Sequence, residues 1–407
     1  MTTTYPLRTI TAHEIDAWAR MVTTTYGQDW REGGLRGAAR SLEPGRTIAA
    51  FDGPEIVGGA SIYGRLLTVP GGAAPVAGIT LVAVLPTHRR RGILTAMMRE
   101  QLTGLHEAGG EPIAALNAAQ ATIYGRFGYG VASHVAQIRG DKRFMALRPG
   151  TDPGEGTIRL LGREDARPLL EKIYERAREG AVGWVDRTEK YWQARLADGE
   201  GAREGGTALR YAVHREPSGE ATGYALYRSM PDLVRVIEVA ATSRQSYAAL
   251  WRFLIELDGH TELAYDGAVD EPLTHLLADP RAARTTLMDN LWVRLVDIGR
   301  ALSARRYATG LDVVVEVRDT FCPWNVGRHR LTADGDTVTC ERTRARADLR
   351  VTAAELGAAY LGGTTLASLA AAGRVEELRP GAVTTTSRAF HGDCAPFHPS
   401  GWAFPAF

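Results

Sequence analysis

Three arginines and a glycine, Arg89-Arg-Arg-Gly92, stand where an apolar strand gives way to a helix. Ahead of them, Ile79-Thr-Leu-Val-Ala-Val84 has the length and composition of a buried strand. Behind them, Leu94, Met97, Met98 and Leu102 recur at helical spacing, which predicts a helix from about Gly92 to Ala108. The first N–H groups of a helix lack internal partners and carry the positive end of its dipole, so an anion settles there. Gly92 lets backbone approach that anion closely, and Arg89, Arg90 and Arg91 add charge. The chemistry this suits is the holding of a pyrophosphate. The lysine and hydroxyl residue of a P-loop are missing, which argues against nucleotide hydrolysis. The alternative for such a run is a helix start with a solvated basic turn.

Two further places could take part in a group transfer. Tyr124 lies in Leu116-Asn-Ala-Ala-Gln-Ala-Thr-Ile-Tyr124-Gly-Arg-Phe-Gly-Tyr129-Gly130. A phenol titrates near pH 10, so it is protonated at neutral pH and can serve as a proton donor. Tyr129 competes for that role, and packing with a hydrogen-bonded tip is the common use of either. The chain ends Phe397-His-Pro-Ser-Gly-Trp-Ala-Phe-Pro-Ala-Phe407, an aromatic, proline-stiffened tail of the kind that docks. Trp18, Tyr26, Asp29, Trp30 and Glu32 gather acidic and aromatic groups in one segment, which suits a cationic amine. Trp18 also sits at helical spacing and fits a core.

Arg89-x-x-Gly92-x-Leu94 resembles the coenzyme-A-binding motif of GNAT acetyltransferases, Arg/Gln-x-x-Gly-x-Gly/Ala, with Leu94 in place of the last small residue. Together with the Tyr124 segment it closely resembles the Eis (enhanced intracellular survival) family, and the layout of the whole chain is similar. The resemblance implies an acetyl-coenzyme-A-dependent N-acetyltransferase acting on primary amines, notably of aminoglycosides, without a metal. It implies that Val82, Ala83, Val84, Arg89, Arg90, Arg91, Gly92, Ile93, Leu94, Thr95, Ala119 and Gln120 hold the coenzyme. It further implies that free N–H groups at Val82 and Val84 face the thioester carbonyl, that Tyr124 is the acid, and that the α-carboxylate of Phe407 takes the amine proton. Asp29, Glu32 and His88 are the side-chain alternatives for that base. The family also forms hexamers.

At 407 residues the chain has room for two or three domains. Residues 1–140 alternate strand and helix signals, with a capping box from Thr11 to Glu14. Residues 141–290 repeat the order: Gly58-Gly-Ala-Ser-Ile-Tyr63 is echoed by Gly223-Tyr-Ala-Leu-Tyr227, and the strand at 79–84 by Val234-Arg-Val-Ile-Glu-Val239. The second copy has Ser243-Arg-Gln-Ser where the first has its arginines and glycine, so it is read as a copy without a coenzyme site. Residues 291–407 resemble the sterol-carrier-protein-like domain that ends Eis proteins. The expected class is therefore mixed α/β: two tandem GNAT-like domains and a sterol-carrier-like third. A net charge of +1 offers no field for nucleic acid or a membrane surface. Neither a secretory signal nor a spanning segment is evident. Cys322, Cys340 and Cys394 are too scattered for a disulfide framework or a metal site, and a cytoplasmic setting fits. The competing functions are a carrier of lipid or other apolar ligands and a protein-lysine acetyltransferase.

Overall fold

The computed structural model describes residues 4–27, 42–200 and 203–399. The first sheet takes β1 (Leu7–Thr9), β2 (Thr47–Asp52), β3 (Glu55–Val69), β4 (Gly72–Val84) and β5 (Ile113–Asn117). Helix α1 (Ile15–Thr25) follows a turn in which the Thr11 N–H donates to the Glu14 carboxylate at 2.9 Å, as the capping-box spacing predicts. It packs on β3, where Gly59 makes room for Trp18: a Cβ there would lie 2.2 Å from the indole Nε1. Helix α2 (Ile93–Ala108) buries Ile93, Met97, Met98, Leu102 and Leu105 against the sheet. A short helix α3 (Ala121–Tyr124) and β6 (Gly130–Val131) complete the first pass.

The second sheet contains β7 (His134–Asp141), β8 (Thr157–Leu161), β9 (Arg210–Arg215), β10 (Ala221–Met230), β11 (Leu233–Ala241), β12 (Glu262–Gly267) and β13 (Arg284–Asp289). Helices α4 (Arg163–Arg178), α5 (Glu189–Arg195) and α6 (Arg244–Glu256) accompany it. The chain then returns: β14 (Leu291–Leu295) enters the first sheet between β5 and β6. The sheets exchange strands near the expected boundaries at 140/141 and 290/291: β7, which runs up to the first of them, belongs to the second sheet, and β14, just after the second, belongs to the first. Sequence order misleads here because β6 runs into β7, and β13 into β14, as one antiparallel ribbon shared by both sheets.

The crossing point of that ribbon is closed by hydrogen bonds. Ser133 Oγ donates to Asn290 Oδ1 at 3.0 Å and accepts from the Leu291 N–H at 3.0 Å. Asn117 Nδ2 donates to the Asn290 carbonyl at 2.8 Å. Buried polar groups at a sheet crossing need such partners, since an unmade bond costs about 1–3 kcal/mol.

The third unit is a five-stranded sheet in which β15 (Leu311–Arg318) lies between β16 (Gly327–Asp334) and β18 (Leu349–Thr352). β17 (Thr337–Arg342) and β19 (Glu376–Glu377) form its edges. Its core is continuous with that of the first sheet: Val313, Val315 and Leu356 share a cluster with Tyr63, Val76 and Val293. Phe321 and Cys322 pack with Tyr124, Phe127 and Tyr129.

In the second unit Glu238 accepts a bidentate pair from Arg187 at 2.8 and 2.7 Å, both side chains fully buried, and a bond from Tyr224 Oη at 2.5 Å. Burial alone raises such a carboxyl, but Arg187, Arg195 and the bond from Tyr224 overcome it and hold Glu238 well below the usual carboxylate range. Removing that charge strands Arg187, so Glu238→Gln is expected to cost about 3–5 kcal/mol, read as a lower midpoint in chemical denaturation. The shared ribbon gives a second expectation. A fragment of residues 1–140 lacks β14 and carries β7 without its sheet, so it should show no cooperative thermal transition, whereas a folded fragment would contradict the exchange.

Candidate active site

β4 is the element that makes the site. It pairs with β5 in parallel only at Val76, Ala77 and Gly78, and beyond Gly78 the two strands separate. β5 can leave because its other edge is held by β14 along its whole length, from Leu295 opposite Ile113 to Leu291 opposite Asn117. On the side of β3, the register slips between Gly59 and Ser61, and Leu81 takes φ +55°, a conformation that a branched side chain adopts only under constraint. The result is a wedge whose wall is the stretch with Val82, Ala83 and Val84.

Helix α2 starts at the outer end of this wedge. Gly92 caps it with φ +79°, and among the described residues no side chain accepts from the first N–H groups. The next N–H already bonded inside the helix is that of Ala96, to the Gly92 carbonyl at 3.0 Å. The donors of Gly92, Ile93, Leu94 and Thr95 are thus available to an anion, and the three arginines beside them are exposed. Arg91 is steadied by Tyr5, with Nη1 donating to the phenol oxygen at 2.5 Å. Tyr5 escaped the sequence reading, since nothing before the first strand signals a bracing role. Among the described residues Arg89 and Arg90 form no ion pair, which leaves their charge to a ligand. His88 is engaged otherwise: its ring meets Asp52 at 3.2 Å and Thr87 at 2.8 Å, on the outside of the turn.

Tyr124 sits at the inner end. It follows Ala119 and Gln120, both exposed at the end of β5, and its own side chain is buried. Its ring meets Tyr129 edge-on, with centroids 6.0 Å apart. Burial, followed by the nearness of Tyr26, pushes the Tyr124 phenol well above its ordinary range. Partial burial also raises Tyr26, whose Oη donates to the Val82 carbonyl at 3.1 Å. Tyr26 and Tyr124 are thus close enough to influence each other, and both are neutral phenols at physiological pH. Tyr129 is the deeper ring, nine-tenths hidden or more and raised by burial despite the nearby Arg294, so its role is to pack Tyr124 in place.

Of the acceptor candidates, Tyr26 is brought to the wedge. Trp18 is not: fully buried, it donates to the Ile48 carbonyl at 3.2 Å and belongs to the core, as its helical spacing also allowed. Asp29, Trp30, Glu32 and Phe407 lie outside the described residues. No group of three or more metal-ligating side chains occurs among the described residues, and none of their helices is long and apolar enough to cross a membrane.

The equivalent wedge of the second sheet is built differently. There helix α6 is capped by its own Ser243, whose Oγ accepts from the Ser246 N–H at 3.2 Å. Glu238 and its arginines fill the strand before it.

Comparison with known proteins agrees with this layout. GNAT acetyltransferase domain models match residues 6–132 and 183–295, and a sterol carrier protein domain model matches residues 298–399. An N-acetyltransferase Eis from Mycobacterium tuberculosis is 38% identical over 80% of this chain and 81% of its own. The chain belongs to the Eis family of N-acetyltransferases. An uncharacterized N-acetyltransferase from Streptomyces avermitilis is 44% identical over 88% of this chain and 89% of its own. The crystal structure of Eis1 from Mycobacterium abscessus superposes with a TM-score of 0.83 at 35% identity, over 97% of this chain and 99% of that one. The expected tandem GNAT and sterol-carrier-like architecture is thereby established, and the protein is an acetyl-transferring enzyme.

Two substitutions test the wedge. Gly92→Glu puts bulk and negative charge at the start of α2 and should abolish coenzyme binding in calorimetry while the circular dichroism spectrum is kept. Tyr124→Phe should lower kcat by about 10²–10³-fold with coenzyme affinity unchanged. Normal binding by the first variant or normal turnover by the second would contradict these assignments.

Proposed function

We propose that this enzyme moves an acetyl group from acetyl-coenzyme A to primary amines of small polycationic acceptors such as aminoglycosides, in the cytoplasm and as a homo-hexamer. The observation that carries the reading is the meeting of Tyr26, the Val82 wall and Tyr124 at the inner end of a wedge whose outer end is an uncapped helix start with three arginines. The names of the Eis relatives support the same reading.

The residues fit the coenzyme. The N–H groups of Gly92, Ile93, Leu94 and Thr95, with Arg89, Arg90 and Arg91, suit its pyrophosphate. The gap between β4 and β5 suits an extended chain, and Ala119 and Gln120 flank it. The bound coenzyme supplies a thioester activated toward amines. Donors on the β4 wall at Val82 and Val84 stabilise negative charge on the carbonyl oxygen. The acceptor enters as an ammonium ion and must lose a proton before its nitrogen forms the new C–N bond. The α-carboxylate of Phe407 is the group assigned to attract, orient and deprotonate it, through water where needed. A carboxylate is a weak base on its own, so placement beside the cation is the larger part of its effect. As the C–S bond breaks, Tyr124 offers its proton to the sulfur. Its raised pKa keeps it a donor throughout the working pH range.

If the terminal carboxylate acts in this way, its position matters more than the side chain that bears it. Appending a short tag to Phe407 displaces the charge and should lower turnover about 10²–10⁴-fold, read by thiol release with an amine panel. Phe407→Leu should cost less, and both variants should bind coenzyme normally. A tagged enzyme with full turnover would assign the base to another group, with Asp29 and Glu32 next to be replaced.

A further inference from the structure

The segment at 182–187 lies where all the parts meet. On one face it pairs with β3: the Thr68 N–H donates to the Trp184 carbonyl at 2.8 Å, the Gly183 N–H to the Thr68 carbonyl at 2.9 Å, and the Asp186 N–H to the Leu66 carbonyl at 3.0 Å. Tyr174 ties it to α4 by donating to the Val185 carbonyl at 2.7 Å. Its last residue, Arg187, is the partner of Glu238. The tail lies against the same segment. The Phe397 N–H donates to the Val182 carbonyl at 3.0 Å. Gly183, at φ +94°, lets the backbone of Phe397 approach so closely that a Cβ would lie 2.9 Å from its N and O atoms. His398 is fully buried and faces Arg187, Glu238 and Arg195. Two residues before His398, Pro396 packs on Gly363, beside the carbonyl of Ala132. Ala132 comes three residues after Tyr129, so the tail is already close to the segment that carries Tyr124.

We propose that the second domain, which holds no coenzyme of its own, is the socket of the C-terminal tail: Val182, Gly183 and the Arg187–Glu238 pair grip Phe397 and His398 and so position the terminal carboxylate for the first domain. His398 is a positioning residue in this account, since the carboxylate it directs lies nine positions further on. The inference rests on the assignment of that carboxylate as base.

Length arithmetic shows what the socket adds. Nine residues beyond His398 span at most about 30 Å. A tail released back to the helix that ends at Phe390 would have seventeen. By loop-closure scaling that difference dilutes the carboxylate only about 2–3-fold. A larger loss on releasing the tail therefore measures direction, not tether length.

The test is His398→Ala in the full-length enzyme. Three readouts are followed: steady-state kinetics with an amine, coenzyme affinity by calorimetry, and the rate at which chymotrypsin cuts after Phe397, followed by mass spectrometry. Expected are a fall in kcat of at least about tenfold, faster than tenfold cleavage, unchanged coenzyme affinity, and substantial rescue by His398→Asn, which keeps a neutral polar group. A smaller fall in kcat, or cleavage at the wild-type rate, would overturn the proposal. Should the alanine variant fail to fold, hydrogen exchange in the wild type decides: protection of the Phe397 N–H comparable to the second sheet supports the socket, and exchange at loop rates overturns it. If a C-terminal tag leaves turnover intact, the assignment of the base fails, and cleavage and exchange then decide the socket on their own.

Discussion

The structure depends on one antiparallel ribbon that belongs to two sheets. β6 with β14 closes the first sheet, and β7 with β13 enters the second, with Ser133 and Asn290 at the crossing. A strand pairs its backbone groups on two edges, and those groups must be satisfied when buried. β14 satisfies one edge of β5 throughout, so β5 is free to part from β4 beyond Gly78. The gap between β4 and β5 is thus a consequence of a strand, Leu291–Leu295, supplied from far along the chain by way of the second domain.

The two GNAT domains build the strand-to-helix turn differently. In the first, the strand-to-helix turn ends in Gly92 with open donors and exposed arginines. In the second, Ser243 caps the helix and Glu238 is locked to Arg187 in the strand. A buried ion pair is costly to assemble unless well bonded, and here the Glu238 carboxylate is met by Tyr224 and Arg195 as well. The third unit contributes in two ways: Phe321 and Cys322 back the Tyr124 cluster, and its chain end runs along the second domain.

Much of this could be read from the sequence because the relevant signals are local. A strand, a basic turn with glycine and an amphipathic helix are contiguous, and the Tyr124 segment is short and distinctive. The capping box at Thr11 also formed as its spacing required. The ribbon was illegible for the opposite reason. Leu291-Trp-Val-Arg-Leu295 is an apolar strand that would suit either neighbouring domain, and nothing in its composition states which sheet it joins. Trp18 shows the same limit on a smaller scale: an aromatic residue at helical spacing fits a pocket and a core equally, and only its bond to Ile48 and its fit over Gly59 separate the two. Arg187 and Glu238 lie 51 residues apart, so their pairing left no periodic trace.

The central claim is that catalysis occurs at a single wedge, between β4 and β5, with Tyr124 at its inner end. The most direct measurement is a crystal structure of the enzyme with coenzyme A and an aminoglycoside. The account predicts one coenzyme per chain, its pyrophosphate on the N–H groups that begin α2 and its thiol within hydrogen-bonding reach of Tyr124. An acceptor amine should lie between that thiol and the Phe407 carboxylate. A coenzyme bound at Ser243 in the second domain, or a thiol directed away from Tyr124, would contradict it.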